Sequence, residues 1–170
     1  MKLDFIRRIK KEAANMAGLI NDILMISRLE AKDAEVLVSD VRISPLLEDI
    51  VDSLKPAAAD SQVFVHIDCQ PLCVRANPQQ MKELLSNLVG NAVKYNHPGG
   101  QVWVNIREQD ENIVIRVRDN GVGIPQESLD RIFERFYRVD KGRSRKQGGT
   151  GLGLSIVKHI VNFYHGSIRV

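Results

Sequence analysis

Asn87 and Asn91 stand four apart and Lys94 follows three later, within a run whose apolar residues Met81, Leu84, Leu85, Leu88, Val89 and Ala92 recur at helical spacing. Residues so spaced project from one helix face. Two amide oxygens and an ammonium suit a polyphosphate carrying Mg²⁺: magnesium takes oxygen donors while keeping waters, and lysine neutralises phosphate as a point charge. Taken alone, the same face could simply be the solvated side of a surface helix. Further on, Asp119-Asn120-Gly121-Val122-Gly123-Ile124-Pro125 ends an alternating run with a carboxylate and a turn carrying two glycines. Glycines there let backbone approach a flat ligand, and a carboxylate at a strand end can accept from an exocyclic amine, which is how a pocket selects adenine. Taken alone, such a sequence is an ordinary turn. A third stretch, Gly148-Gly149-Thr150-Gly151-Leu152-Gly153-Leu154, opens the last helical run, so free N–H groups and a positive dipole end are offered to a phosphate. It is not a Walker loop, because no Gly-Lys-Ser/Thr follows, nor a dinucleotide fingerprint, because no strand runs into it. Between the second and third stretches, Phe133, Phe136 and Tyr137 precede Arg138, Lys141, Arg143, Arg145 and Lys146, an aromatic anchor followed by a basic lid.

These residues need elements to position them. Ile6, Ile9, Ala13, Met16, Ile20 and Ile23 alternate at spacings of three and four, which predicts one long helix over residues 4–31 with a heptad seam that needs a partner helix. The charged stretch from Glu30 to Asp40 breaks that period and reads as a linker. Ser44-Pro45 reads as a cap followed by proline, starting a helix to about Asp60. Val63 to Ile67 and Leu72 to Ala76, joined by a Pro71 turn, read as a hairpin. Asn77-Pro78 repeats the cap signal ahead of the Asn87 helix, which ends near Tyr95. Val102 to Arg107 and Ile113 to Asp119 predict a second hairpin, and Thr150 to Tyr164 the last helix. The order fits an α+β fold, a two-layer sandwich with helices on one face of a mixed, mostly antiparallel sheet. The division expected is 1–33 for the helical appendage, 34–43 for the linker and 44–170 for the globular domain.

With 44% hydrophobic and 26% charged residues the chain is of ordinary globular composition. A net charge of +3, spread along the chain, does not call for nucleic acid. Cys69 and Cys73 have no second pair to complete a zinc set and read as buried thiols. No apolar run reaches the ~20 residues of a membrane span and no signal peptide is visible, so the expected location is cytoplasmic.

The ordered set Asn87-x-x-x-Asn91-Ala92-x-Lys94-Tyr95, Asp119-x-Gly121-x-Gly123, Phe133-x-x-Phe136 and Gly149-x-Gly151-x-Gly153-Leu154 resembles the N, G1, F and G2 boxes of bacterial sensor histidine kinases, with phosphate-regulon type kinases the nearest general likeness. Residues 4–31, ending Ile26-Ser27-Arg28-Leu29-Glu30, are similar to the second helix of the dimerisation and histidine-phosphotransfer hairpin. The resemblance implies a Bergerat-type ATP pocket. Asp119 would read adenine, and Asn91, helped by Asn87, would hold Mg²⁺. Lys94 and Tyr95 would contact phosphate and ribose, and Arg138 would approach the γ-phosphate. Gly121, Gly123, Ile124, Gly149, Thr150, Gly151, Leu152, Gly153 and Leu154 would shape the pocket and hinge the lid. The activity implied is ATP-dependent protein-histidine kinase in a two-component phosphorelay. The implied partners are a response-regulator receiver domain and a second copy bound through residues 4–31, with membrane attachment only through segments outside this sequence.

The family's phosphoacceptor lies in a His-Glu-x-x-x-Pro context, which His66, His97, His159 and His165 do not match. They read as structural histidines. Ser167 to Val170 resembles the start of a strand that family members continue, and a missing partner would leave a sheet edge unpaired. A fragment without its phosphoacceptor is expected to bind nucleotide but not to phosphorylate itself. The alternatives are a nucleotide-binding or dimerising module without transfer activity, and a relative that phosphorylates serine on a partner protein; the heptad helix speaks against the latter.

Overall fold

The computed structural model describes residues 36–139 and 150–170, together with 5, 6, 9, 10, 12, 13, 16–20, 23, 24 and 27. The amino-terminal residues among these are all helical, and the seam residues Ile6, Ile9, Met16, Ile20 and Ile23 are exposed. Residues 4 and 28–31, the ends of the expected helix, lie outside the described set. Two compact units are present: Glu35–Gln126, and a second made of Met1–Ala34 with Glu127–Val170.

The first unit contains β1 (Ser39–Arg42), α1 (Ile43–Asp60), β2 (Phe64–Cys69), β3 (Cys73–Ala76), α2 (Pro78–Lys94), β4 (Gln101–Gln109) and β5 (Asn112–Asp119). The two helices pack on each other, α1 against β2 and α2 against β4 and β5. Val102, Val104 and Ile106 of β4 are buried, as are Leu47 and Ile50 of α1 and Leu84, Leu85 and Val89 of α2. Trp103 alternates to the outer face, where Arg118 lies 5.7 Å over its ring. Helices on one sheet face and a solvated outer face make the two-layer α+β arrangement expected.

The strands group differently from expectation. They form a two-stranded sheet, β1 with β3, and a three-stranded sheet in the order β2-β4-β5. The 63–67 and 72–76 runs are therefore not a hairpin. β2 pairs in parallel with β4, Val65 opposite Val102, while β3 pairs antiparallel with β1, Val41 opposite Val74. Pro71 and its neighbours form no tight reversal that would force adjacent strands together. The parallel partner is reached by a crossover through β3 and α2, which a local pattern cannot reveal. β1 itself lies in the stretch read as linker; only Val41 of its four residues is buried, so it carries no alternation signal. The β4–β5 pair is the antiparallel hairpin expected, with Val104 opposite Val117.

Ser44 is not the cap of α1. The helix starts at Ile43, its N-cap Arg42 makes no side-chain bond, and the Ser44 hydroxyl donates instead to Gln70 O at 3.4 Å. Pro45 is tolerated because amides of a first turn lack helical partners anyway. The Asn77 cap is present: Oδ1 accepts from Gln80 N at 3.0 Å, and Nδ2 donates to Leu37 O at 2.9 Å. Asn77→Ala is expected to lower the unfolding free energy by about 1–2 kcal/mol, read as a shift in denaturant midpoint, with Asn77→Asp recovering the cap.

A 3₁₀ turn (Gln126–Ser128) starts on the last residue of the first unit and precedes the F-type aromatics, and in the second unit α3 (Gly153–Phe163) buries Ile156, Val157 and Ile160. It begins three residues after the predicted Thr150. Residues 167–170, read as the start of a strand, are coil, since no strand among the described residues pairs with them.

Candidate functional site

On α2, the buried side is Leu85, Val89, Ala92 and Val93, which leaves Asn87, Asn91, Lys94 and Tyr95 half-buried together on the other side. Asn87 Nδ2 donates to Glu83 O at 2.9 Å, so Oδ1 is the atom left for a cation. Lys94 Nζ lies 5.3 Å over the Tyr95 ring.

Asp119 ends β5 in an exposed position, and its Oδ1 accepts from Gly121 N at 2.8 Å. One carboxylate oxygen thus shapes the turn and the other is left for a ligand. The turn is laced to the end of α2 and the start of β4. Val122 N donates to Tyr95 O at 3.1 Å, Asn120 N to Gln101 O at 3.3 Å, and Gln101 N to Asn120 Oδ1 at 2.7 Å. Gly121 is glycine for a reason other than ligand access. A Cβ there would stand 2.5 Å from Tyr95 O and 2.9 Å from the Cα of Asn96, so the close approach is to the protein's own backbone. Gly123 has φ +69° with open space beside it. Val122 and Ile124 expose 59% and 40% of their surface, an apolar edge suited to a flat heteroaromatic ligand. Spacing did not single out Val122, and its only signal was lying between the two glycines.

In the second unit, Ile132 is buried, Phe133 sits 5.6 Å beneath Lys158 Nζ, and Tyr137 donates its hydroxyl to Ser128 Oγ at 3.0 Å. Phe136 is not an anchor. It is 59% exposed and holds φ +62°, with its N–H bonded to Gly151 O at 3.0 Å. Gly151, at φ +76°, comes so close that a Cβ would lie 2.9 Å from the Phe136 backbone. Thr150 Oγ1 accepts from Leu152 N at 3.2 Å, Leu152 is fully buried, and no side chain caps the start of α3 at Gly153-Leu154.

Arg138 lines a cleft of about 400 Å³ with Arg131, Glu134, Arg135, Phe136 and Tyr137. Its Nε and Nη2 are buried with no acceptor among the described residues. Arg131, by contrast, is paired with Glu134 at 3.3 Å. Buried guanidinium nitrogens without a partner are costly, so the chemistry of this cleft fits an anion such as a phosphate. Gly149 and the lid residues Lys141, Arg143, Arg145 and Lys146 lie outside the described residues.

Elsewhere, Cys73 is exposed and Cys69 half-buried, so the expectation of buried thiols fails. β3 is too short and too near the surface to bury Cys73. Among the described residues no group of His, Cys, Asp and Glu could hold a metal, and no helix is long and apolar enough to cross a membrane.

Residues 76–170 match the family of histidine kinase-, DNA gyrase B-, and HSP90-like ATPases. The chain is 34% identical over 166 residues to the sensor protein kinase WalK of Staphylococcus haemolyticus, covering 96% of this chain and 27% of that protein. It is 34% identical over 167 residues to the sensor histidine kinase WalK of Bacillus subtilis, with the same coverage of 96% and 27%. It thus spans about a quarter of the length of these curated relatives. Among solved structures, full-length ShkA in complex with AMPPNP superposes with a TM-score of 0.80 at 27% identity, covering 96% of this chain and 34% of that one.

Proposed function

The chain belongs to the histidine kinase-, DNA gyrase B-, and HSP90-like ATPase family, in its sensor histidine kinase branch, and from that premise we propose that it binds ATP with Mg²⁺ and donates the γ-phosphoryl group to a histidine. One observation carries this reading: a strand-end carboxylate, Asp119, sits on a turn bonded directly to the helix whose half-buried face bears Asn87 and Asn91. A base-reading acceptor and a pair of metal-binding amides are thereby held on one rigid frame.

In this reading the free oxygen of Asp119 accepts from the adenine amine, and Val122 and Ile124 cover the ring. Asn91 and Asn87 offer amide oxygens to Mg²⁺, while Lys94 and Tyr95 meet phosphate and ribose. Taken by itself, the second unit offers Arg138 and the amides opening α3 at Gly153 and Leu154, with Thr150, Gly151 and Leu152 beside them, as groups suited to a phosphate anion; Gly149 lies outside the described residues. ATP with Mg²⁺ supplies the phosphoryl group: the bond from γ-phosphorus to its bridging oxygen breaks as one to an imidazole nitrogen forms, and ADP leaves. The residues contribute position and charge rather than covalent chemistry. The receiving partners would be a histidine-bearing helix and then a response-regulator receiver domain. The exposed seam of Ile6, Ile9, Met16, Ile20 and Ile23 supports pairing with a second copy through residues 4–31, which the serine-kinase alternative would not need.

Calorimetric titration with a non-hydrolysable ATP analogue tests the reading. Binding that Mg²⁺ strengthens about tenfold or more is expected, with Asn91→Ala losing that enhancement while binding the metal-free analogue unchanged. A folded chain that binds no nucleotide would overturn the proposal.

A further inference from the structure

Val102, Val104 and Ile106 turn inward along β4, so Trp103 and Asn105 stand on the outer face of the three-stranded sheet, away from α1 and α2. The register fills in the rest of that face. His66 and Arg118 lie opposite Trp103 in one cross-strand row, and Asp68 and Arg116 lie opposite Asn105 in the next. Phe64, two positions before His66, exposes 58% of its surface, and Trp103, the chain's one tryptophan, exposes 40%. Aromatic and arginine side chains are the types enriched where proteins meet.

Charge and ring geometry narrow what this face can take. Asp68 is the one carboxylate that the three strands put there, and it is already bonded to Arg107 and, at 2.8 Å, to Asn105 Nδ2. Arg116 and Arg118 are exposed and form no ion pair among the described residues. They stand two positions apart on one strand, about 7 Å, which is also the spacing of alternate side chains in any extended chain. A partner with a carboxylate at every second residue would meet both. Trp103 lies between two neighbours: the His66 ring is stacked on one flank, with centroids 6.0 Å apart and planes at 20°, and Arg118 lies 5.7 Å from its centroid on the other. A nucleobase needs an open ring face to stack on, and here both flanks are taken. The ring edge is left to solvent, where an apolar side chain can cover it.

We propose that the outer face of the β2-β4-β5 sheet docks an extended acidic segment of a partner protein, its alternate carboxylates on Arg116 and Arg118 and an apolar residue against Trp103 and Phe64. The surface is independent of the nucleotide reading, because Asp119 stands opposite the buried Val102 and so belongs to the other face.

Trp103 is the only tryptophan, so its emission reports on this face. The probe is a short synthetic peptide, blocked at both ends, that alternates glutamate with threonine around one central phenylalanine. A saturable change in emission with a matching calorimetric isotherm is expected, weakening as salt is raised and falling at least about tenfold in affinity in the Arg116→Ser/Arg118→Ser variant. The thermal midpoint of that variant is expected to stay near the parent's, since both side chains are exposed. Arg75→Ser removes a like charge from the exposed side of β3 and is expected to leave the affinity within about twofold. No binding by either readout overturns the proposal. So does an equal loss in Arg75→Ser, which would mean that net charge alone attracts the peptide. A single-stranded oligonucleotide bound more tightly than the peptide would give the face to nucleic acid and overturn it as well.

Discussion

Asp119→Asn is expected to remove nucleotide binding while leaving the fold intact. The asparagine keeps an oxygen that can accept from Gly121 N, the bond that shapes the turn at 2.8 Å, so the local structure survives. The other carboxylate oxygen becomes an NH₂ group. Set against an exocyclic amine, it opposes donor to donor where a charged acceptor stood. Loss of a charge-assisted bond together with an unsatisfied donor amounts to about 3–5 kcal/mol, or roughly a hundred- to a few-thousandfold in affinity. Titration with the ATP analogue measures it, and the thermal midpoint checks that folding is unchanged. Affinity within about tenfold of the unaltered chain would remove Asp119 from the base-reading role.

Gly121→Ala is expected to damage stability and binding together. Its methyl would stand 2.5 Å from Tyr95 O and 2.9 Å from the Cα of Asn96, and both obstacles are backbone, so no side-chain rotation relieves the clash. The turn must lift from the end of α2, breaking the bond from Val122 N to Tyr95 O. Overpacking of this kind costs about 1–3 kcal/mol, and an Asp119 moved with the turn would lose at least about tenfold in affinity. Denaturant unfolding beside the same titration separates the two losses. A variant as stable as the parent would mean that the contact between turn and helix is slack.

These two residues mark how far a sequence can be read. The place of Asp119 was legible because an alternating run ends on it, and β5 does end there. The pairing of Asn87 with Asn91 was legible because helical period puts them on one face. The Asn77 cap and the β4–β5 hairpin followed from signals confined to a few neighbouring residues. Gly121 was noticed for the wrong partner: the spacing of glycines does not tell whether the close approach is to a ligand or to Tyr95. Phe136 looked like an anchor by type, yet it is the exposed member of its group, because its positive φ turns it away while Ile132 is the residue buried. The parallel pairing of β2 with β4 and the short strand β1 escaped for a common reason. Each depends on a partner far along the chain, and pairing distance leaves no local pattern. That Arg138 Nε and Nη2 have no acceptor among the described residues is a fact of three-dimensional placement and has no sequence signature at all.

The shared strand β4 also orders the events by which this unit can assemble. Its antiparallel partner β5 is reached across a short connection, so that half of the sheet can zip as soon as the chain collapses. Its parallel partner β2 must wait until everything from Cys69 to Gln101, including all of α2, has been gathered between them. The Asp119 turn is built at the far end of the early hairpin, whereas the helix it is bonded to belongs to the late crossover. The corner that holds Asp119 therefore joins a sequence-local hairpin to a sequence-distant crossover, and a ligand bound across it would act as a brake on unfolding by holding the two together.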